Sequence, residues 1–516
     1  MGLALLISLV GIGGILWLSG WGLLQAGQGL DWSELSDPYL WHILWFSCYQ
    51  AFISAILSLI AGILLGRCLF YLKPKGLQYW LAFASVCFVA PVILVVLGVI
   101  GAFGQDGFWS QLGLWHQPLY GLTGILIAHL FLNIPLFMRH SYLLWQSIAP
   151  AQWQQAEQLG LSSWQRFRYL EWPLLQSGLL SSGLLVFMLC FGSFTIVLAL
   201  GGGPASATLE VAIYQALRYD FEPDFALVCA LLQLLIGLLL FYLLKQRQAA
   251  SDVAKAHDYE PVIQPWERYG LKGYAVVCMI FFGSVFVGMV SPLASLTLSA
   301  IEFSTLISST LLSVQIALLS WLFCGIFLTA LLMLIVFSWQ QQQFRYLDSI
   351  AQLLASSLLL FPAMVVSTGL FFWLWQRGFQ GHSMALIALI HALMALPFAI
   401  RLMRPALSQL QRHYQVLLAE LHLSVWVRWR VIYAPILARP LALTSAFVLV
   451  LSLGDMGVVA LLGDVDRVTL PMMLYQQLGH YQYARASLTG LWLLWVCVII
   501  FAGFEYIACK GSHVRR

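Results

Sequence analysis

Long apolar runs constrain this chain more than any other feature of its sequence. A run of about 18 or more apolar residues can cross the hydrocarbon core of a bilayer as a helix. We count twelve such runs, and only 9% of the 516 residues are charged, against about 25% in an ordinary soluble domain. The runs lie at residues 1–24, 43–66, 79–104, 119–147, 177–200, 224–244, 272–292, 305–337, 350–376, 383–403, 437–461 and 487–508.

These runs predict an all-α polytopic membrane protein. A transmembrane β-barrel is built from segments of about ten residues in which apolar and polar residues alternate, and runs such as 231–244 do not alternate. The first run has no charged start and is longer than the apolar part of a signal peptide, which is about 7 to 15 residues long. We therefore predict that it is a helix of the mature chain.

The basic residues predict which loops face the cytoplasm, since cytoplasmic loops carry an excess of Lys and Arg. With the N-terminus placed inside, 21 of the 25 Lys and Arg residues fall in cytoplasmic segments. Both termini are therefore predicted to be cytoplasmic. The net charge of +4 follows from this bias, and it indicates no nucleic-acid partner.

The sequence also contains an internal duplication, because six residue pairs recur in order 262 positions apart, four of them formed by the infrequent residues Trp, Pro and His. The pairs are His129 and His391, Pro135 and Pro397, Arg139 and Arg401, Trp164 and Trp426, Pro173 and Pro435, and Gly192 and Gly454. Each half has six runs that start on the same side, so we predict two parallel six-helix repeats. They cover residues 1–245 and 271–516, and the polar stretch 246–270 is predicted to be a cytoplasmic linker.

A patterned cytoplasmic loop follows the fourth run of each half, at about residues 148–175 and 410–437. In the first copy, Gly160 permits a sharp turn between two short amphipathic segments. Two short helices at this place would form a compact knob, which would suit docking into a groove on a soluble partner.

The pattern within the first knob predicts its internal packing. Trp153, Ala156 and Leu159 fall on one face of the first short helix. Ser163 is a plausible N-cap of the second, and Pro173 is expected to end that helix before the membrane span begins.

This loop resembles the coupling-loop signature of binding-protein-dependent importer permeases, in which Glu-Ala-Ala precedes a Gly and a Leu-Pro or similar pair closes the motif. The matching positions of the first loop are Gln154, Gln155 and Ala156, then Gly160, then the pair Trp172 and Pro173, with Glu157 one turn from the lost acid. Trp164 is a further candidate coupling residue of this loop. The second copy is degenerate and has His422 at the glycine position. Its candidate coupling residues are Ala419, Glu420, His422, Trp426 and Pro435.

Within that family the chain looks like the fused permeases of thiamine transporters, on the stretches 37–58, 200–223 and 452–481. Fused permeases for ferric iron share the general plan, so the substrate stays open between them. The resemblance implies a type I importer in a bacterial inner membrane, with two copies of an ATPase subunit below and a periplasmic substrate-binding protein above. It also implies that the partner ATPase uses the ATP. This chain is expected to lie among membrane lipid and to bind no cofactor of its own.

Two histidines and one acid inside apolar runs are candidates for the translocation path, since polar residues in spans are costly unless paired or hydrated. His129 and His391 each precede a proline by six residues. We expect each to hydrogen-bond a backbone carbonyl freed near that proline, with a path-lining position as the alternative. Asp455, whose counterpart is Ser193, would attract a cation such as the thiazolium of thiamine, or would be a hydrated or paired acid near a helix end.

The outer loops repeat as well, with Tyr214 and Gln215 matching Tyr475 and Gln476. These residues resemble a periplasmic segment that would gate the path or touch the binding protein, and the alternative is a re-entrant helix that packs against its twin. The sequence contains no phosphate-binding G-x-x-x-x-G-K-S/T motif, no metal-ligand cluster and no catalytic constellation. We therefore predict a transport subunit rather than an enzyme, and a twelve-helix secondary transporter is the remaining alternative.

Overall fold

The computed structural model describes residues 7–26, 32–247, 264–295, 303–340, 346–358, 361–378, 383–420, 427, 429–464 and 467–513. Within these residues every regular element is a helix, which confirms the all-α prediction.

The helices from the first part of the chain are α1 (Gly14–Ala26), α2 (Pro38–Leu72), α3 (Leu77–Val89), α4 (Val92–Phe103), α5 (Leu122–Gln146), α6 (Pro150–Gln158), α7 (Ser163–Arg166), α8 (Trp172–Phe191), α9 (Thr195–Leu200), α10 (Leu209–Gln215) and α11 (Pro223–Arg247), with one further short helix at Phe108–Gln111 between α4 and α5. Those that follow are α12 (Pro265–Val290), α13 (Phe303–Gln340), α14 (Tyr346–Ser357), α15 (Ala363–Trp375), α16 (Met384–Glu420), α17 (Ala434–Gly454), α18 (Gly457–Leu462), α19 (Leu470–Gly479) and α20 (Tyr483–His513). Turns of π-helix at Ile7–Gly13, Phe167–Glu171 and Trp429–Tyr433 lead directly into α1, α8 and α17.

Nine helical segments in the described part of the chain are long and apolar enough to cross a membrane. A tenth is present if the bent pair Ser163–Gln176 and Gly178–Phe191 is one span. Two shorter apolar helices, Val10–Ala26 and Ala363–Trp375, lie in the first and ninth predicted runs. The polytopic membrane class is thus confirmed, while the number of twelve crossings stays a prediction.

Four of the predicted runs are divided into two helices. Pro91 separates α3 from α4, and Pro362 separates α14 from α15, because proline lacks an N–H group and keeps the preceding residue out of the helical conformation. The fifth run breaks after Gly192 between α8 and α9, and the eleventh breaks at Asp455 between α17 and α18. Asp455 is thus at a helix break and not within a continuous helix.

One compact unit, called unit A, consists of Ser33–Ala212 and Leu235–Leu296. Its α2 packs along α5, and α8 packs against both. Helix α12 packs against α4 and α2 in the same unit. Gly101 and Gly288 face each other where α4 and α12 cross, and a Cβ atom on Gly101 would collide with the carbonyl oxygen of Gly288. Small residues at such a crossing let two helix backbones approach closely.

A second compact unit, called unit B, consists of Met1–Trp32, Ile213–Leu234 and Thr297–Arg516. Its core is apolar and draws on α13, α14, α16 and α17, to which Ile12 adds a fully buried side chain. Helix α1 packs against α15, and a Cβ atom on Gly22 would collide with the carbonyl oxygen of Gly369. Helix α20 packs against α17 and α19.

Each unit therefore contains the first helix of the opposite sequence half. Helix α1 belongs to unit B, and α12 belongs to unit A. The packing units differ from the predicted repeats 1–245 and 271–516. The repeats are defined by sequence similarity and not by contacts, so their borders stay a prediction. Of the predicted linker, residues 265–270 form the first turns of α12, and residues 248–263 lie outside the described residues.

Candidate coupling and translocation sites

The first knob has the two short helices that its pattern predicts. Helix α6 ends at Gln158, and Gly160 follows with a φ of +63°, in the left-handed region that favours glycine. The N-cap of α7 is Ser162 and not Ser163 as predicted. Ser162 forms a capping box with Gln165, in which each side chain bonds the other residue's backbone N–H.

Aromatic packing in unit A anchors the knob. The ring of Trp153 is fully buried, stacks on Phe70 with 5.7 Å between centroids, and meets Tyr71 edge-on at 6.2 Å. Ala156 is also buried, whereas Leu159 is 75% exposed. The predicted inner face of α6 is thus confirmed for Trp153 and Ala156 and wrong for Leu159, which lies beyond the last turn of the helix.

The outer side of the knob is exposed and partly apolar. Gln154 and Gln155 are exposed, Glu157 is half-buried, and Trp164 and Tyr169 are each 67% exposed. Pro173 is the second residue of α8 and not the end of the preceding helix. The π-helical turn Phe167–Glu171 leads directly into α8, so the helix continues through Pro173 without the hydrogen bond that the missing proline N–H would donate.

Three buried charges and the partly buried Arg67 join the knob to its neighbours in unit A. They are Arg67 on α2, Arg166 on α7, Glu171 before α8 and Glu267 on α12. Glu171 is fully buried and accepts hydrogen bonds from the hydroxyl of Tyr71 at 2.6 Å and from Nε1 of Trp145 at 2.9 Å.

Glu267 completes this cluster. Its Oε1 accepts from Nη2 of Arg67 at 2.9 Å and from the hydroxyl of Ser163 at 2.8 Å, and its Oε2 accepts from Nη2 of Arg166 at 3.3 Å. The guanidinium groups of Arg67 and Arg166 also lie over the ring of Tyr71. Removing one member of a buried ion pair typically costs about 3–5 kcal/mol, because the partner charge stays buried.

The sequence reasoning missed all four charges of this cluster, Arg67, Arg166, Glu171 and Glu267, as site residues. Acidic residues are rare in this chain, which has only 21 Asp and Glu residues. This rarity could have singled out Glu171 and Glu267 as candidate site residues. Glu171 lies inside the patterned loop, and Glu267 lies in the predicted linker.

Much of the second knob falls outside the described residues, including His422 and Trp426. Ala419 and Glu420 are the last residues of α16, which continues well past the predicted end of its span at residue 403. Pro435 is the second residue of α17, as Pro173 is of α8. The coupling role of the second knob stays a prediction.

Both candidate histidines bond a serine on another helix, so the expected bond to a freed carbonyl near the proline is wrong. In unit A, Nδ1 of His129 lies 2.9 Å from the hydroxyl of Ser54. In unit B, Nδ1 of His391 lies 2.9 Å from the hydroxyl of Ser452. Both imidazoles are buried, and each reaches a neighbouring helix and not the backbone of its own.

The structure brings His391 and Asp455 together. Their Nε2 and Oδ2 atoms are 2.9 Å apart, and the same carboxylate oxygen accepts the backbone N–H of Val458 at 3.2 Å. With an ionised Asp455, a neutral His391 carries its proton on Nε2 and accepts from Ser452 on Nδ1. The side chain of Asp455 is 34% exposed and that of His391 is 3% exposed, so the carboxylate stays partly accessible while the imidazole is buried.

The first half has a different chemistry at the equivalent place. Ser193 follows the break after α8, and no contact brings it to His129 among the described residues. Asn133 donates to the sulfur of Cys190 at 3.3 Å, and Gln50 donates to the Cys190 carbonyl at 2.9 Å. At this pair of equivalent positions only the second half has a carboxylate, as predicted from Asp455 having Ser193 as its counterpart.

The repeated outer segments hold equivalent hydrogen bonds in their own units. The N–H of Leu209 donates to Ser47 at 3.0 Å in unit A, and the N–H of Leu470 donates to Ser313 at 2.8 Å in unit B. These bonds fix the starts of α10 and α19.

Tyr214 and Tyr475 lie at the ends of these segments, both within unit B. The hydroxyl of Tyr214 lies 3.3 Å from that of Tyr219. Burial raises the pKa of Tyr214 and of Tyr475, and the neighbouring Tyr219 raises both further. Both phenols are therefore neutral near pH 7. Gln215 is half-buried and Gln476 is exposed, and the gating role of the four residues stays a prediction.

Comparison with known proteins gives the family. The family described as "Binding-protein-dependent transport system inner membrane component" matches residues 58–249. The chain is 34% identical over 506 residues to the thiamine transport system permease protein ThiP of Escherichia coli K12, covering 94% of this chain and 92% of that protein. The ThiP proteins of Haemophilus influenzae and Brucella abortus are 36% and 33% identical over 93% and 100% of this chain, and over 91% and 95% of their own length.

These likenesses cover both halves, including the candidate coupling loops and the break at Asp455. They confirm the predicted resemblance to fused two-half permeases. With its apolar helices, the chain is a multi-pass transport component of the inner membrane. It belongs to the family of thiamine transport system permease proteins, within the binding-protein-dependent inner-membrane transport components.

Proposed function

We propose that this chain is the permease of an ATP-driven importer that moves thiamine, or its phosphate esters, from the periplasm to the cytoplasm by alternating access. The observation that carries the proposal is the near full-length similarity to thiamine transport permeases from three bacteria. A ferric-iron substrate and a secondary transporter are the weaker alternatives. A secondary transporter lacks support because the loop that follows the fourth apolar run is the folded first knob, which is anchored in unit A.

The proposed partners follow from the same family. Two copies of an ATPase subunit would bind ATP and engage the two knobs, and a periplasmic binding protein would deliver the substrate. The exposed apolar side chains of the first knob, Leu159, Trp164 and Tyr169, support docking of this kind, since a short helix can place such side chains into an apolar groove of a partner. Docking to the ATPase places the knobs on the cytoplasmic side of the membrane, and the loops on that side carry the excess of Lys and Arg. Both observations support the orientation in which the two termini are cytoplasmic.

Asp455 is the residue best suited to a cationic substrate. Its carboxylate is held by His391 and by the N–H of Val458, yet stays partly exposed. A pre-organised carboxylate would attract the positively charged thiazolium of thiamine without first having to reorient. His391 would then act as the group that fixes the carboxylate.

The first test is uptake of labelled thiamine into cells that lack this gene and have wild-type or Asp455→Asn chains restored. We expect the wild type to restore thiamine uptake and not uptake of labelled ferric iron. Loss of the charge should lower apparent thiamine affinity about tenfold or more, the effect of losing one charge-assisted contact of about 1.5–3 kcal/mol.

Two controls define the reading of this test. Ser452→Ala removes the other bond of His391 without changing the charge, and membrane levels of each chain are compared by immunoblot. If the wild-type chain restores uptake of ferric iron and not of thiamine, the substrate is ferric iron and the thiamine assignment is wrong. Full thiamine uptake by a stable Asp455→Asn chain would remove the role of Asp455.

A further inference from the structure

Glu267 lies in the stretch that separates the two sequence repeats, so comparison of the repeats assigns it no role. It is in the first turn of α12, and its side chain is 6% exposed. It bonds Arg67 on α2 and both Ser163 and Arg166 on α7 of the knob. One carboxylate thus holds together the knob and two long helices of unit A.

The bonds to the knob are made on its inner side and leave its outer side free. Ser163 and Arg166 point to the cluster, whereas Trp164, between them in sequence, is 67% exposed. A partner that binds the exposed side would therefore not compete for the groups that bond Glu267.

The contacts of the cluster oppose a shift of the knob alone. The cluster has two arginines and two glutamates, and Glu171 is fixed in turn by Tyr71 and Trp145. Moving α7 away from α12 would break the Arg166–Glu267 ion pair and the Ser163–Glu267 hydrogen bond, and would leave Glu267 with Arg67 as its remaining partner in the cluster, which is unfavourable for a buried charge. Moving all the elements together preserves every bond, so the cluster favours concerted motion of the knob with α2 and α12.

The two acids of the cluster have no acidic counterparts at the 262-residue offset of the sequence. The position 262 residues after Glu171 is occupied by Tyr433, and the position 262 residues before Glu267 is occupied by Leu5. The two knobs would therefore transmit motion through different contacts.

We propose that Glu267 is a positioning residue that transmits displacement of the first knob to α2 and α12 during transport. The proposal rests on the proposed function, because the displacement would come from the ATPase partner. It assigns the linker-proximal turn of α12 a part in energy coupling and not only in joining the two halves.

The test compares wild type, Glu267→Gln and Ser163→Ala in the complete importer complex, reconstituted in liposomes with its ATPase and binding protein. Glu505→Gln is the matched control, since Glu505 is exposed on α20. We expect Glu267→Gln to raise the ATP hydrolysed per thiamine moved by about fivefold or more, the range of an ordinary coupling free energy. Ser163→Ala should raise it by less, and Glu505→Gln should leave it unchanged.

A second readout does not depend on the substrate. Hydrogen exchange of the same complexes is measured with and without ATP, with an ATPase variant that binds but does not hydrolyse it. In wild type we expect ATP to change exchange in both the knob and α12. In Glu267→Gln the change should remain in the knob and be lost from α12.

The outcomes separate the two proposals. A wild-type complex that moves no thiamine overturns the proposed function, and hydrogen exchange then still decides the role of Glu267. A wild-type coupling ratio and a wild-type exchange response in Glu267→Gln would overturn that role. If Glu267→Gln does not assemble, Ser163→Ala decides, since it keeps every charge, and unchanged behaviour of that variant would likewise overturn the inference.

Discussion

Gly160 determines the shape of the first knob through its backbone alone. Its φ is +63°, and no atom lies within 4 Å of where a Cβ would be. A side chain there costs about 1–2 kcal/mol in backbone strain, and asparagine tolerates this conformation better than a β-branched residue does. We expect Gly160→Val to lower thiamine uptake about fivefold or more, and Gly160→Asn to retain most of it, in uptake assays at equal membrane levels.

Gly183 provides the matched control for this prediction. A Cβ atom on Gly183 would also meet open space, but this residue lies in α8 with an ordinary helical φ. Gly183→Val should therefore transport like the wild type. If Gly160→Val also transports like the wild type, the turn at Gly160 is not required for coupling.

The sequence predicts single residues well where the cause is local. The turn at Gly160 follows from its position between two short periodic segments. The bond from Ser163 to Glu267 spans 104 positions and that from His391 to Asp455 spans 64. Local propensity predicted Ser163 as an N-cap, but its hydroxyl donates to Glu267. It also predicted that His391 bonds a backbone carbonyl, but tertiary packing places Ser452 and Asp455 beside it.

At the scale of elements, the crossing of α12 and α4 depends on Gly288. A Cβ atom there would collide with the carbonyl oxygen of Gly98, and flexible side chains cannot relieve a clash with backbone. We expect Gly288→Leu to destabilise unit A by about 1–3 kcal/mol, as overpacking does, with a lower thermal unfolding temperature in detergent. Gly283 on the same helix has open space around it, so Gly283→Leu should unfold like the wild type, and equal unfolding of both variants would contradict the packing argument.

The positions of the long helices could be predicted because apolar length is a strong signal. Their ends and breaks were harder, since hydropathy reports the thickness of the membrane and not the end of a helix. Helix α16 continues to Glu420, although its apolar run ends near residue 403. The break at Asp455 had a signal in the sequence, a charged residue inside an apolar run, which the span prediction passed over.

At the scale of the whole molecule, the duplication predicts two repeats but not which helices pack together. The first runs of both halves are mainly apolar, and apolar length alone does not distinguish packing within a half from packing across halves. The structure shows the second arrangement, with α1 against α15 in unit B and α12 against α4 in unit A. Each helix is held there by a glycine crossing, at Gly22 and at Gly288.

This exchange makes a prediction about a chain divided at residue 255, within the predicted linker. Fragment 1–255 lacks α12 and so cannot complete unit A, while fragment 256–516 lacks α1 and cannot complete unit B. We expect neither fragment to accumulate in the membrane alone, and both to accumulate and restore thiamine uptake when expressed together, as followed by immunoblot and uptake.

The control is the full chain with a protease site inserted at the same place and cut after assembly, which should keep its activity because every packing contact of the two units is already formed. Accumulation of either fragment alone at the level of the intact chain would mean that its unit folds without the exchanged helix. The contacts of α1 and α12 would then be secondary to the packing within each half, and the glycine crossings would stabilise the assembled molecule without being needed to build it.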